Sequence, residues 1–303
     1  MRGVWFGYLL GRVLGGSASA QQVADTLWQP KVAHPAFALG KGPVVYIDEG
    51  HNNFHTMTGG FAPFARLLLA DGFRVRRFQA HFDKASLDSV SILVISNALA
   101  KENVGHWARP IRSAFTETEI EAIQAWVAAG GALLLIADHM PLAGASLELG
   151  ARLGVPYADG FALIPDADEV IVFRRSDGSL AGSAITNGRS PEERVDSVAT
   201  FMGSALLPNL PVDSLLILPE KARVLLPQVS WQLSDSTPYL VGTHLLQGAV
   251  RRVERGRAAF FGEAGMFTAQ RQNGNTMGLN DPRAGGNPQF ILNLLHWLAG
   301  RLS

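Results

Sequence analysis

Four apolar runs without alternation set the rhythm of the chain: Val44 to Ile47, Ile92 to Ile95, Ala132 to Ala137 and Ala258 to Phe261. A run with no polar face leaves water no side to wet, so each predicts a strand buried on both faces of a sheet. Phe73 to Phe78 instead alternates, Val75 and Phe78 against Arg74, Arg76 and Arg77, and predicts a strand nearer an edge. Between these runs the period lengthens. Phe61 to Ala70 carries apolar residues at helical spacing and stops at Asp71-Gly72. Thr116-Glu117-Thr118-Glu119 is a capping box, opening a helix with Ile120, Ile123, Trp126 and Val127 on one stripe and ending at Gly130-Gly131. A further helix is predicted over Ala143 to Leu153, and Asn287-Pro288 supplies a cap and a proline for a last one with Phe290, Ile291, Leu294, Leu295 and Leu298 inward.

Strands alternating with helices in this way predict an α/β protein with a doubly wound, mostly parallel sheet. From Val155 to Pro238 the rhythm is lost, and the short apolar pieces there read as an irregular insertion of strands and loops, within a single domain spanning 21–303. Tyr239 to Leu246 predicts a strand, set apart from Ala258 to Phe261 by the basic stretch Arg251 to Arg257.

Parallel strands all end on one edge, so whatever follows each run should gather there. Asp48-Glu49-Gly50-His51-Asn52-Asn53 with His55, then Asn97, Asp138-His139 and Glu263 follow the four runs in turn. Asp48, His51, His139 and Glu263 are the candidate acid–base residues, an imidazole oriented by a carboxylate being the usual general base. Glu49, Asn52, Asn53, Asn97 and Gln270 are candidate ligand contacts. His51, His55 and Asp138 could together hold a divalent metal, the candidate cofactor, since imidazole and carboxylate suit zinc, iron or manganese. The reaction this suggests is a hydrolysis, although no Gly-x-Ser-x-Gly nucleophile is present. The alternative is a non-catalytic module that binds a ligand or assembles with a partner, the same Asx side chains then serving loop amides.

Composition narrows the partners. Among 303 residues, 26 Lys and Arg balance 26 Asp and Glu, which leaves no electrostatic footprint for nucleic acid and favours a small molecule or carbohydrate. There is no cysteine, so disulfides and thiol nucleophiles are excluded. Arg2, the apolar Val4 to Leu14 and the small residues Ser17 to Ala20 have the three-part pattern of a signal peptide over 1–20, implying a periplasmic or secreted protein with no membrane span after its removal.

Asp48-Glu49-Gly50-His51-Asn52-Asn53-Phe54-His55-Thr56, Phe115 through Ile136 with Gly130-Gly131, Ala137-Asp138-His139, and Gly262 to Phe267 with Gln270 resemble the uncharacterised DUF4350-type proteins of the class I glutamine amidotransferase-like superfamily. The resemblance implies a flavodoxin-like sheet with a ligand crevice at the predicted edge. It brings no glutaminase activity, because true amidotransferases use a Cys nucleophile and this chain has none.

Overall fold

A computed structural model describes residues 23–241, 244–272 and 275–303; the leader expected over 1–20 lies outside the described residues. It shows a mixed α/β protein whose largest sheet has nine strands, most of its central ones parallel. The strands and helices that position the site are β1 (Val44–Asp48), α1 (Ala62–Ala70), β2 (Arg74–Phe78), β3 (Ile92–Ser96), α2 (Glu117–Ala128), β4 (Ala132–Ile136), β5 (Leu246–Val253), β6 (Gly256–Phe261) and α3 (Asn287–Leu298). Across the sheet the order is β2-β1-β3-β4-β6-β5. The pairs from β2 to β6 are parallel, and β5 runs against β6.

The unbroken apolar runs serve two faces at once. Val45, Ile47, Val94, Leu134, Ile136 and Phe261 pack with Phe64, Leu67 and Leu68 of α1 and Phe290 and Leu294 of α3. Leu93, Ile95, Leu133, Leu135 and Phe260 turn to the other face, against Ile120, Ile123 and Val127 of α2. Each such side chain, fully withdrawn from water, contributes roughly 1.5–3 kcal/mol. β2 is the outer strand and its arginines are exposed, but the expected alternation is not kept: Arg76 and Arg77 are neighbours, and Val75 and Phe78 pack on opposite faces of the sheet.

Three expectations are corrected. The strand expected over Tyr239 to Leu246 divides: Tyr239–Val241 joins a small sheet, while Leu246–Val253 pairs with β6, Arg251 lying opposite Ala258. Of the basic stretch, Arg251 and Arg252 therefore sit on β5, where Arg251 donates to the Leu153 carbonyl at 2.8 Å, while Arg255 lies in the turn to β6. The helix expected over Ala143 to Leu153 is two short turns, Leu142–Ala145 and Leu147–Arg152, breaking at Ser146. Gly144 in the first turn is required by the close approach of Asp159, whose carboxylate accepts its N–H at 3.0 Å where a Cβ would collide. Asn287 does not cap α3; its amide instead pairs with both the N–H (2.9 Å) and the carbonyl (2.8 Å) of Ala199.

Residues 155–238 divide their strands. Tyr157–Ala158, Ala205–Leu206 and Asp213–Ile217 extend the large sheet beyond β5, while Phe161–Leu163 with Arg223–Leu225, and Val170–Arg174 with Ser197–Phe201, build smaller sheets. Val23–Ala24 pairs with Ala269–Gln272 in another. No helix among the described residues is long and apolar enough to cross a membrane.

Candidate functional site

Because β1, β3, β4 and β6 are neighbours and parallel, the residues at and after their ends fall along one edge in the order Asp48, Asn97, Asp138, Glu263. Hydrogen bonds stitch the tips together. Asn53 donates to Asp48 Oδ2 at 2.9 Å and to the Ser96 carbonyl at 3.2 Å, and Asn97, in the left-handed region with φ 49°, accepts the Asp138 N–H at 2.9 Å. Asparagine adopts that conformation at less cost than most residues.

A cavity of about 290 Å³ opens at the β3, β4 and β6 end of this edge. Its walls include Asn97, Asp138, His139, Glu263, Gln270 and His55, with Trp107 and Trp231 among its aromatic residues. Residues 155–238 supply Glu169, Phe201, Met202 and Trp231 to it. A larger hollow of about 840 Å³ lies at the other edge of the sheet, among Pro43, Ser91 and Gly131, and holds neither His nor Glu. Size therefore does not choose the site; chemistry does.

Glu263 is 1% exposed and accepts the N–H groups of Gly265 and Met266. Burial and the adjoining Asp138 carboxylate nevertheless push its pKa well above the usual carboxylate range. Burial raises Asp138 as well, opposed by His139 and by the backbone N–H groups it accepts. Two carboxyls in one low-dielectric site resist carrying two charges, so the pair retains a proton where isolated groups would have lost it. Beside them the His139 ring stacks on Phe161 (centroids 4.7 Å, 12°) and meets Trp231 edge-on at 4.7 Å. Its Nδ1 lies 2.8 Å from the Met140 carbonyl, which can only accept, so Nδ1 carries a proton and the lone pair of the neutral ring is on Nε2.

Asp48 and His51, expected to join His139 and Glu263, are held in a separate network. His51 Nδ1 donates to both Asp48 oxygens at 3.0 Å, and its ring stacks on Phe82 at 4.4 Å. Its Nε2 faces Glu119 Oε1 at 3.0 Å, and His81 Nδ1 reaches the same oxygen at 3.1 Å. Glu119 keeps its capping role through Oε2, which accepts the Thr116 N–H at 2.9 Å and Oγ1 at 2.8 Å. Burial disfavours its charge, yet the hydrogen bonds from His51 and Thr116 outweigh burial and hold its pKa down at about 2. Burial likewise opposes charge on His51, but Asp48 and Glu119 prevail and its pKa is raised.

The expected metal trio is not assembled. His55 lies flat against Phe61 (5.0 Å, 7°) with Gly60 beside its Nδ1, away from the partners of His51, and burial alone drops its pKa to about 4. Among the described residues, the group of three His, Asp or Glu side chains whose ligand atoms come within 4.8 Å of one another is His51, His81 and Glu119. Glu49 and Asn52 also leave the cavity to others: Glu49 accepts the Met57 N–H at 2.8 Å, and Asn52 donates to the Leu99 carbonyl at 3.0 Å. Asn53 binds Asp48 rather than the cavity, whereas Asn97 and Gln270 do line it. Glu119 escaped sequence reasoning because a capping box already accounted for it; the tryptophans escaped because isolated aromatics in polar stretches carry no period.

No protein-family model matches the chain, and no curated protein matches it. Among solved structures the chain is similar to the mmIFT52 N-terminal domain, at 11% identity with a TM-score of 0.56, over 84% of this chain and 97% of that one. A ThuA-like protein from Bacteroides uniformis aligns over 89% of this chain and 94% of its own, at 12% identity and a TM-score of 0.46. A cytoplasmic protein from Salmonella typhimurium aligns over 84% and 98%, at 13% identity and a TM-score of 0.44. At such identities the first likeness speaks for the fold alone.

Proposed function

We propose that the protein is a hydrolase acting on a small, neutral, polyhydroxylated molecule at the edge where β3, β4 and β6 end. The observation that carries this reading is a pair of carboxyls, the buried Glu263 and the half-buried Asp138, opening together on a cavity walled by tryptophans. Carboxyl groups whose surroundings force them to share charge are suited to proton transfer near neutral pH. In this reading Glu263, holding its proton, protonates the leaving oxygen, while Asp138 or the Nε2 of His139 takes the proton of the attacking water. Trp107 and Trp231 offer flat apolar faces to a sugar-like ring, and Asn97 and Gln270 offer amides to its hydroxyls. The order β2-β1-β3-β4-β6, with helices on both faces, supports assigning the sheet to the doubly wound, flavodoxin-like class, with residues 155–238 as an insertion that finishes the cavity.

The test is a panel of methyl glycosides, whose alkoxide leaving group needs protonation, assayed for release of reducing sugar. At least one should be turned over, and Glu263→Gln should lower kcat about a hundredfold or more while leaving KM nearly unchanged. If saccharides bind wild type and E263Q alike and none is cleaved, the cavity is a binding module and the catalytic reading fails.

A further inference from the structure

We propose that His51, His81 and Glu119 form a binding site for a first-row divalent transition metal, zinc foremost. The site lies apart from the cavity above and does not depend on the reading of it.

The argument begins with the two nitrogens of His51. Nδ1 faces only the Asp48 carboxylate, at 3.0 Å from each oxygen, so it carries a proton. A neutral ring then has only a lone pair at Nε2, yet Nε2 points at the Glu119 carboxylate from 3.0 Å. Two acceptors at that separation need a positive centre between them, either a second ring proton or a cation. His81 brings a third donor atom, Nδ1, to 3.1 Å from the same Glu119 oxygen. Bonds of about 2.0–2.2 Å from one zinc place neighbouring ligand atoms roughly 3.3–3.6 Å apart. Both ring nitrogens already lie about that far from Glu119 Oε1, and all three ligand atoms lie within 4.8 Å of one another, so closing on an ion requires the two rings to draw together around that oxygen. Two imidazoles and a carboxylate suit zinc and its neighbours, and do not suit calcium or magnesium, which prefer oxygen cages.

The surroundings support the ligands as metal sites require. Asp48 fixes the tautomer of His51 and is itself held by Asn53 Nδ2 at 2.9 Å and the Gly50 N–H at 3.1 Å. Phe82 and Phe115 flank the His51 ring and keep water from its inner side. Thr116 binds the Glu119 oxygen that faces away from the histidines. On the outer side His81 is exposed, and a shallow depression running past Thr116, Thr118 and Glu121 gives an ion its way in and leaves a fourth position to water or an added ligand.

The experiment uses the untagged full chain after chelator treatment and dialysis, titrated with Co²⁺ and followed by visible absorbance, then with Zn²⁺ in competition. We expect saturable uptake of one Co²⁺ per chain, displaced by Zn²⁺. His81→Ala removes an exposed side chain, so the variant should keep its far-ultraviolet spectrum and melting temperature while binding Co²⁺ at least tenfold more weakly. Asp48→Asn should weaken binding about tenfold through loss of the orienting charge. Absence of saturable uptake by the wild type, or equal affinity in the folded H81A variant, overturns the proposal.

Discussion

His51 and His55 stand four residues apart in one loop, and their surroundings act on them in opposite senses. His51 has two carboxylates within reach and is drawn towards its charged form; His55 has an aromatic ring and a glycine, and is kept neutral. The sign of each contribution to stability follows. For His55, with a folded pKa of about 4 against 6.5 when free, acidification protonates the unfolded chain first, so stability falls as pH drops from 6.5 towards 4. For His51, whose folded pKa is raised, the contribution is present below 6.5 and is lost as pH climbs through the folded value. Replacing His55 with leucine should therefore remove an acid sensitivity. Urea unfolding of wild type and His55→Leu should differ by up to about 3 kcal/mol more at pH 6.5 than at pH 4, wild type losing ground on the acid side. A parallel pH dependence of the two proteins would contradict this account of His55.

At the scale of elements, polar side chains expected to finish a helix or loop turn out to connect elements distant in sequence. Asn287 was expected to cap α3, but it holds both backbone groups of Ala199, completely buried, where the Ser197–Phe201 strand passes the helix. The substitution Asn287→Ala strands that N–H and carbonyl away from water. It should cost about 2–4 kcal/mol in chemical denaturation, several times the effect of losing an exposed cap. A cost below about 1 kcal/mol would mean that water reaches the site. Glu119 shows the same limit: Thr116-x-x-Glu119 predicts the helix start correctly, but a carboxylate has two oxygens, and local sequence says nothing about what meets the second.

Across the whole molecule, the last helix is tied to the first helix–strand unit by a contact between residues 225 positions apart. His296 Nε2 lies 2.6 Å from Asp71 Oδ2, both side chains wholly buried, while Asp71 Oδ1 accepts the Ala36 N–H at 2.8 Å. Changing His296 to leucine leaves the carboxyl buried without its main partner. The expected loss is about 3–5 kcal/mol, read as a fall in the urea midpoint with little change in its slope. An unaltered midpoint would show that Asp71 finds another partner in α1 or in solvent.

The chain order of buried runs was enough to predict the core strands, α1, α2 and the edge on which the polar tips gather, because period and burial are local properties written residue by residue. Parallel pairing then put Asn97, Asp138 and Glu263 side by side, as the shared direction of the strands requires. Which way each side chain turns was decided only by the folded chain. His51 faces α2 and Glu119, His55 folds against Phe61, and Asp138 and Glu263 meet His139 and Trp231 around a cavity. A loop residue's direction depends on partners from elements far along the chain, and those distances exist only after the sheet has closed.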